Sequence, residues 1–90
     1  MQIEEVIDKV TEICKANHVK ELMLFGSYAT GTATDTSDID FAVKGAEDIE
    51  LLREQVDVIP TLKKIDLFDY DNCLNSSLKG AMDRYGRKIY

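Results

Sequence analysis

Two aspartates one residue apart, Asp38 and Asp40, stand beyond a Gly-Ser pair, Gly26-Ser27, in the stretch GSYATGTATDTSDID, with ten residues between Ser27 and Asp38. Ser37 to Val43 alternates polar and apolar residues as a half-buried strand does, so Asp38 and Asp40 share one face and Ile39, Phe41 and Val43 the other. Two carboxylates in one small space repel, and protons or a divalent cation relieve them. Hard oxygen ligands with open positions suit Mg²⁺, or Mn²⁺, bridged to phosphate. The Gly-Ser pair supplies the other half of that chemistry. Glu21 to Phe25 reads as a short buried strand that stops at Gly26, where the backbone can turn sharply. Ser27 then reads as the N-cap of a one-turn helix over Tyr28, Ala29 and Thr30, ended by Gly31, whose unpaired N–H groups would face a phosphate. Either half alone is commonplace: Gly-Ser after a strand is an ordinary turn, and Asp-x-Asp on a strand edge is usually a solvated face. Taken together, the two halves read as a metal and nucleotide site.

In this combination the residues resemble the DNA polymerase β-like nucleotidyltransferases, whose signature is Gly-Ser, a spacer of about this length, then Asp-x-Asp or Asp-x-Glu. Gly26, Ser27, Asp38 and Asp40 carry the match, and Ala29, Gly31 and Ser37 stand where minimal prokaryotic members tend to show the same residues. One departure is Thr30, where many relatives carry arginine. The resemblance implies a third aspartate on a later strand between apolar neighbours, and Asp66, between Ile65 and Leu67, matches it. In the roles so implied, Gly26 and Ser27 hold the β- and γ-phosphates of ATP or another NTP. Asp38, Asp40 and Asp66 hold two Mg²⁺ ions, and Asp66 also accepts the proton of the attacking hydroxyl. Relatives of this size are typically encoded beside a small all-helical HEPN protein, often a ribonuclease toxin. They act as its antitoxin, in some cases by adenylylating a tyrosine on it. The resemblance therefore implies a HEPN-type partner and transfer of AMP to a hydroxyl on that partner. Two alternatives stand beside it: an antitoxin with a weak or silent site that acts by binding alone, which Thr30 favours, and a small-molecule nucleotidyltransferase, for whose acceptor 90 residues leave scant room.

Ninety residues make one domain, 1–90, which buries only about 60–65% of the surface of its unfolded chain. The net charge of −6 argues against direct, nonspecific binding of nucleic acid, which needs clustered Lys and Arg. Residues 1–71 hold sixteen acids and seven bases, whereas 72–90 hold one acid and four bases. No apolar run approaches the ~20 residues of a membrane span or has the layout of a signal peptide, so the expected location is cytoplasmic, with no membrane partner. Cys14 and Cys73 lack metal-ligand spacing and fit a reducing compartment.

Ile3, Val6, Ile7, Val10, Ile13 and Cys14 recur at helical spacing and predict an amphipathic first helix ending near Asn17-His18, with His18 exposed at its C-terminus. Thr32 to Thr36 reads as a flexible loop with Asp35 as a turn residue. Asp48 can cap a helix that runs through Ile49, Leu52 and Val56 to about Asp57, before Pro60. Leu62 to Asp69 reads as a third strand, with Asp69 on the face opposite Asp66. Apolar positions from Leu74 to Tyr85 predict a last helix, capped by a left-handed Gly86, and Arg87 to Tyr90 a final edge strand. Four β segments interleaved with helices predict an α+β fold: a mixed sheet of about four strands backed by helices.

Overall fold

The computed structural model describes residues 1–90. Its elements, in chain order, are α1 (Ile3–Ala16), β1 (Glu21–Phe25), α2 (Ser27–Thr30), β2 (Ile39–Lys44), α3 (Ile49–Asp57), β3 (Ile65–Asp69), α4 (Ser76–Tyr85) and β4 (Arg87–Lys88). The strands form one mixed sheet in the order β3-β2-β1-β4. β1 runs antiparallel to both β2 and β4, and β2 runs parallel to β3. The expected α+β domain with a four-stranded mixed sheet is therefore the observed fold, and no helix is long and apolar enough to cross a membrane.

The two faces of the sheet are covered unequally. Val6, Val10 and Cys14 of α1 and Leu52 and Val56 of α3 pack with Leu22, Leu24, Ile39, Phe41, Val43 and Leu67 in the main core. The other face carries a smaller cluster of Met23, Phe25, Ala42 and Met82, the last from α4, with Phe68 meeting Phe25 edge-on at 5.1 Å between ring centroids. Strand alternation sends Asp40 and Asp66 to this lightly covered face, because Ile39, Phe41 and Leu67 take the other. Burial pushes the Cys14 thiol up to about 11, which keeps it protonated and leaves it a small core residue.

Local chemistry sets the element ends. Gln2 and Glu5 form a capping box at the start of α1, and the helix stops where His18, exposed, takes a left-handed φ of 60°. The Asp48 carboxylate accepts from the Leu51 N–H at 3.0 Å and so caps α3 as expected. Several expectations are corrected: β2 begins at Ile39 rather than Ser37, and β4 ends at Lys88 rather than Tyr90. β3 begins at Ile65 rather than Leu62, whose side chain is wholly exposed in the preceding turn. α4 begins at Ser76 rather than Leu74, because Asn75 caps it through the Leu78 N–H at 3.0 Å. Gly86 ends α4 at φ −65° and ψ 137°, not left-handed; it is needed because a Cβ there would strike the Met82 carbonyl oxygen.

The outer edges of the sheet differ as well. β4 is two charged residues long. β3 is longer, and along its free edge the Arg53 guanidinium of α3 donates twice to the Leu67 carbonyl oxygen, from Nη2 at 2.9 Å and from Nε at 3.3 Å.

Candidate active site

β1 ends at Phe25, whose register partner on β2 is Asp40, and Asp40 is itself the register partner of Asp66 on β3. Three strands thus bring the Gly26 turn and two carboxylates to one corner of the sheet. Gly26 has φ 74° and ψ −153°, a combination that is essentially closed to residues with a side chain. A Cβ at Gly26 would also collide with Oδ2 of Asp40, so the missing side chain makes the room that the carboxylate occupies. Gly26, not Ser27 as expected, is the N-cap of α2, and Ser27 is its first helical residue. The Gly26 carbonyl accepts from the N–H groups of Ala29 (3.1 Å) and Thr30 (3.2 Å), and Gly31, left-handed at φ 78°, closes the turn. The first N–H groups of such a turn have no partner within it and are donors for an anion.

Asp38 lies one residue before β2, exposed, while Asp40 and Asp66 are half-buried. Burial raises the Asp40 pKa above the ordinary carboxylate value, repulsion from Asp66 and then from Asp38 raises it further, and Lys64 opposes the rise. Lys64 Nζ stands 3.6 Å from Oδ1 of Asp66. This excess of negative charge on hard oxygen donors is what a divalent cation would relieve. No three acidic side chains are drawn together closely enough to enclose an ion on protein oxygens alone. Mg²⁺ commonly binds through one or two carboxylates together with substrate phosphates and water, so the donor set fits an ion that arrives with a nucleotide.

The segment after Gly31 is less free than its composition suggests. Ser37 Oγ accepts from the Thr34 N–H at 2.8 Å, and the Asp35 carbonyl accepts from Lys63 Nζ at 2.6 Å. Two clefts flank the carboxylates. One of ≈ 410 Å³ follows the free edge of β3 and includes Asp66; another of ≈ 630 Å³ lies between the 35–38 and 60–64 segments and includes Asp38. Lys63 and Lys64 line both. Sequence reasoning placed these lysines within a strand and gave them no role. Their signal was the spacing Lys64-Ile65-Asp66, which sets an ammonium two residues from a carboxylate.

The sequence profile of the family described as polymerase beta, nucleotidyltransferase matches residues 8–90. The chain belongs to that family. This nucleotidyltransferase domain is 39% identical over 66 residues to a candidate protein adenylyltransferase of Methanocaldococcus jannaschii, a match covering 71% of the chain and 66% of the relative. A second candidate protein adenylyltransferase of the same organism is 33% identical over 76 residues, covering 80% of the chain and 82% of the relative. The nucleotidyltransferase thus spans just under two thirds of the first relative's length. Among solved structures, a chain of a toxin-antitoxin crystallised with AMP-PNP superposes with a TM-score of 0.72 at 26% identity, covering 92% of this chain and 71% of that one. A mutant of the MntA-HpeT toxin-antitoxin, at 22% identity and a TM-score of 0.69, has the same fold. An NTP substrate and a divalent metal are general to the family's reaction.

Proposed function

We propose that this nucleotidyltransferase moves AMP from ATP to a hydroxyl on a partner protein and that the partner is a HEPN-type toxin, which the modification silences. The observation that carries the reading is the corner where Asp40 fills the space left by the absent Gly26 side chain and stands beside Asp66 across the β2 and β3 register. The M. jannaschii relatives named for protein adenylylation, and the toxin-antitoxin with AMP-PNP, support the acceptor and the nucleotide.

In the proposed reaction the acceptor oxygen attacks the α-phosphorus, the bond from that phosphorus to the bridging oxygen of pyrophosphate breaks, and pyrophosphate leaves with the electron pair. Asp66 takes the proton of the attacking hydroxyl. The N–H groups and the Ser27 hydroxyl at the α2 turn hold the β- and γ-phosphates. Asp38 and Asp40, with Asp66, would hold Mg²⁺, which supplies charge neutralisation at the phosphates and a lowered hydroxyl pKa. The strongly acidic first 71 residues favour a basic partner.

One observation favours a second reading, neutralisation by binding alone. Thr30 carries no charge, and its hydroxyl turns back to the Gly26 and Ser27 carbonyls at 3.3 and 3.4 Å, so α2 offers a phosphate no cation. Intact-mass spectrometry of the protein mixed with its toxin, ATP and Mg²⁺ separates the two. Adenylylation adds roughly 329 Da per AMP to the toxin, the mass of the transferred group, and Asp38→Asn or Asp40→Asn abolishes the gain. A toxin silenced equally by wild type and by both variants, with no added mass, would replace the enzyme with the binder.

A further inference from the structure

A triphosphate brings about four negative charges to a corner that already holds Asp40 and Asp66, with Asp38 exposed before β2, and α2 carries no basic residue in its four-residue turn. The charge must be balanced from elsewhere in the chain. Arg53 lines the cleft with Asp66, but its guanidinium is engaged by Glu50 and the Leu67 carbonyl; the 63–64 segment brings two ammonium groups to this place. Lys63 Nζ lies 5.7 Å from the centre of the Tyr28 ring, on α2 beside Ser27, and it bonds to the Asp35 carbonyl at 2.6 Å. Lys64 Nζ reaches the other side of the corner, 3.6 Å from Asp66, and its field acts on Asp40. The two lysines form the ridge shared by the clefts that contain Asp38 and Asp66.

Their partners are weak competitors for a phosphate. The Asp35 carbonyl uses one of the three donors of Lys63, and the ion pair of Lys64 is solvent-exposed, with 70% of the lysine side chain accessible. The backbone beneath them is fixed, because the Lys64 carbonyl accepts from the Ile39 N–H at 2.9 Å and ties the segment to the start of β2 beside Asp38. Both side chains can therefore turn to a polyphosphate without moving the sheet.

We propose that Lys63 and Lys64 are the cationic half of the nucleotide site, supplied from the α3–β3 connection in place of a cation on α2. Lys63 binds the phosphates held at the α2 turn, and Lys64 leaves Asp66 to bind the phosphate next to the reacting carboxylates. The inference rests on the nucleotide reading above and deepens it: a site with its own cations is equipped for polyphosphate despite Thr30.

The test is isothermal titration of ATP with Mg²⁺, in the absence of any acceptor, into wild type, the Lys63→Ala/Lys64→Ala double variant and Lys64→Arg. Inorganic tripolyphosphate serves as a competitor. Lys64 is exposed and Lys63 half-buried, and thermal melting verifies that the variants fold. The double variant loses at least about tenfold in affinity, the scale of charge-assisted contacts, tripolyphosphate competes with ATP in wild type, and Lys64→Arg binds within a few-fold of wild type. Equal affinity in wild type and the folded double variant overturns the assignment while leaving the nucleotide reading intact. Absence of ATP binding by wild type instead overturns the nucleotide reading, and this inference with it. A gain in Mg²⁺ affinity in the double variant with unchanged ATP affinity would make the lysines mere counter-ions of the carboxylates.

Discussion

Asp40 is held against its own ionisation, and that has a sign that can be measured. Burial, then the charges of Asp66 and Asp38, raise its pKa in the folded chain above the unfolded value. Its contribution to stability is thus full below the ordinary carboxylate value of about 3.9 and is lost as pH rises through the raised folded value. Asn at this position cannot ionise. Without divalent ions, Asp40→Asn is expected to melt above wild type at pH 7, and the gap should close towards pH 4. Melting of both proteins across that range checks it, and a variant that unfolds well below wild type at pH 7 would make the carboxylate structural. Gly26 shows why the pairing with Asp40 was legible beforehand. Gly-Ser and Asp-x-Asp are chemical types at a fixed spacing, and each is needed by residue identity. Lys63 was not legible, because the reach of a long side chain to Asp35 and Tyr28 leaves no trace in periodicity; Lys64 showed only its spacing from Asp66.

The elements divide along a similar line. α1, β1 and α3 were readable because the apolar residues that recur with each element's period are buried: Val6, Val10 and Cys14 on α1, Leu22 and Leu24 on β1, Leu52 and Val56 on α3. The starts of β3 and α4 were not, because Leu62 and Leu74 are apolar yet almost fully exposed, and apolar pattern assumes burial. For α4 the decisive residue is a cap instead. Asn75 holds the helix start, and the helix in turn lays Met82 over the smaller cluster. Asn75→Ala should cost about 1 kcal/mol, a fall of about 4–8 °C in Tm, whereas Asn75→Asp keeps an acceptor and should lose far less. Equal melting of the alanine variant and wild type would mean that α4 docks without its cap. For the site, β1, β2 and β3 set its corner by register, and α4 covers part of the same face through Met82.

At the scale of the molecule, a thirteen-residue core on one face carries the fold and leaves the other free for chemistry, with only four buried residues there. The acidic 1–71 segment and the basic 72–90 segment meet where Lys88 Nζ stands 3.9 Å from Oε1 of Glu21. The strand order also leaves the sheet with an end that is not paired: beyond β3 no strand follows, and Arg53 occupies the Leu67 carbonyl. Strip that guanidinium away, as in Arg53→Ala, and the protein acquires a sticky margin, a row of backbone donors and acceptors on which another extended chain can crystallise strand by strand. Such growth is a matter of colloid behaviour rather than of catalysis. Light scattering should rise with protein concentration and incubation time in Arg53→Ala while wild type stays clear, with Arg53→Lys intermediate. Equal clarity at millimolar concentration would mean that the margin is guarded by something other than this one side chain. Arg53, to which the proposed reaction assigns no step, would then decide how much of this protein stays in solution.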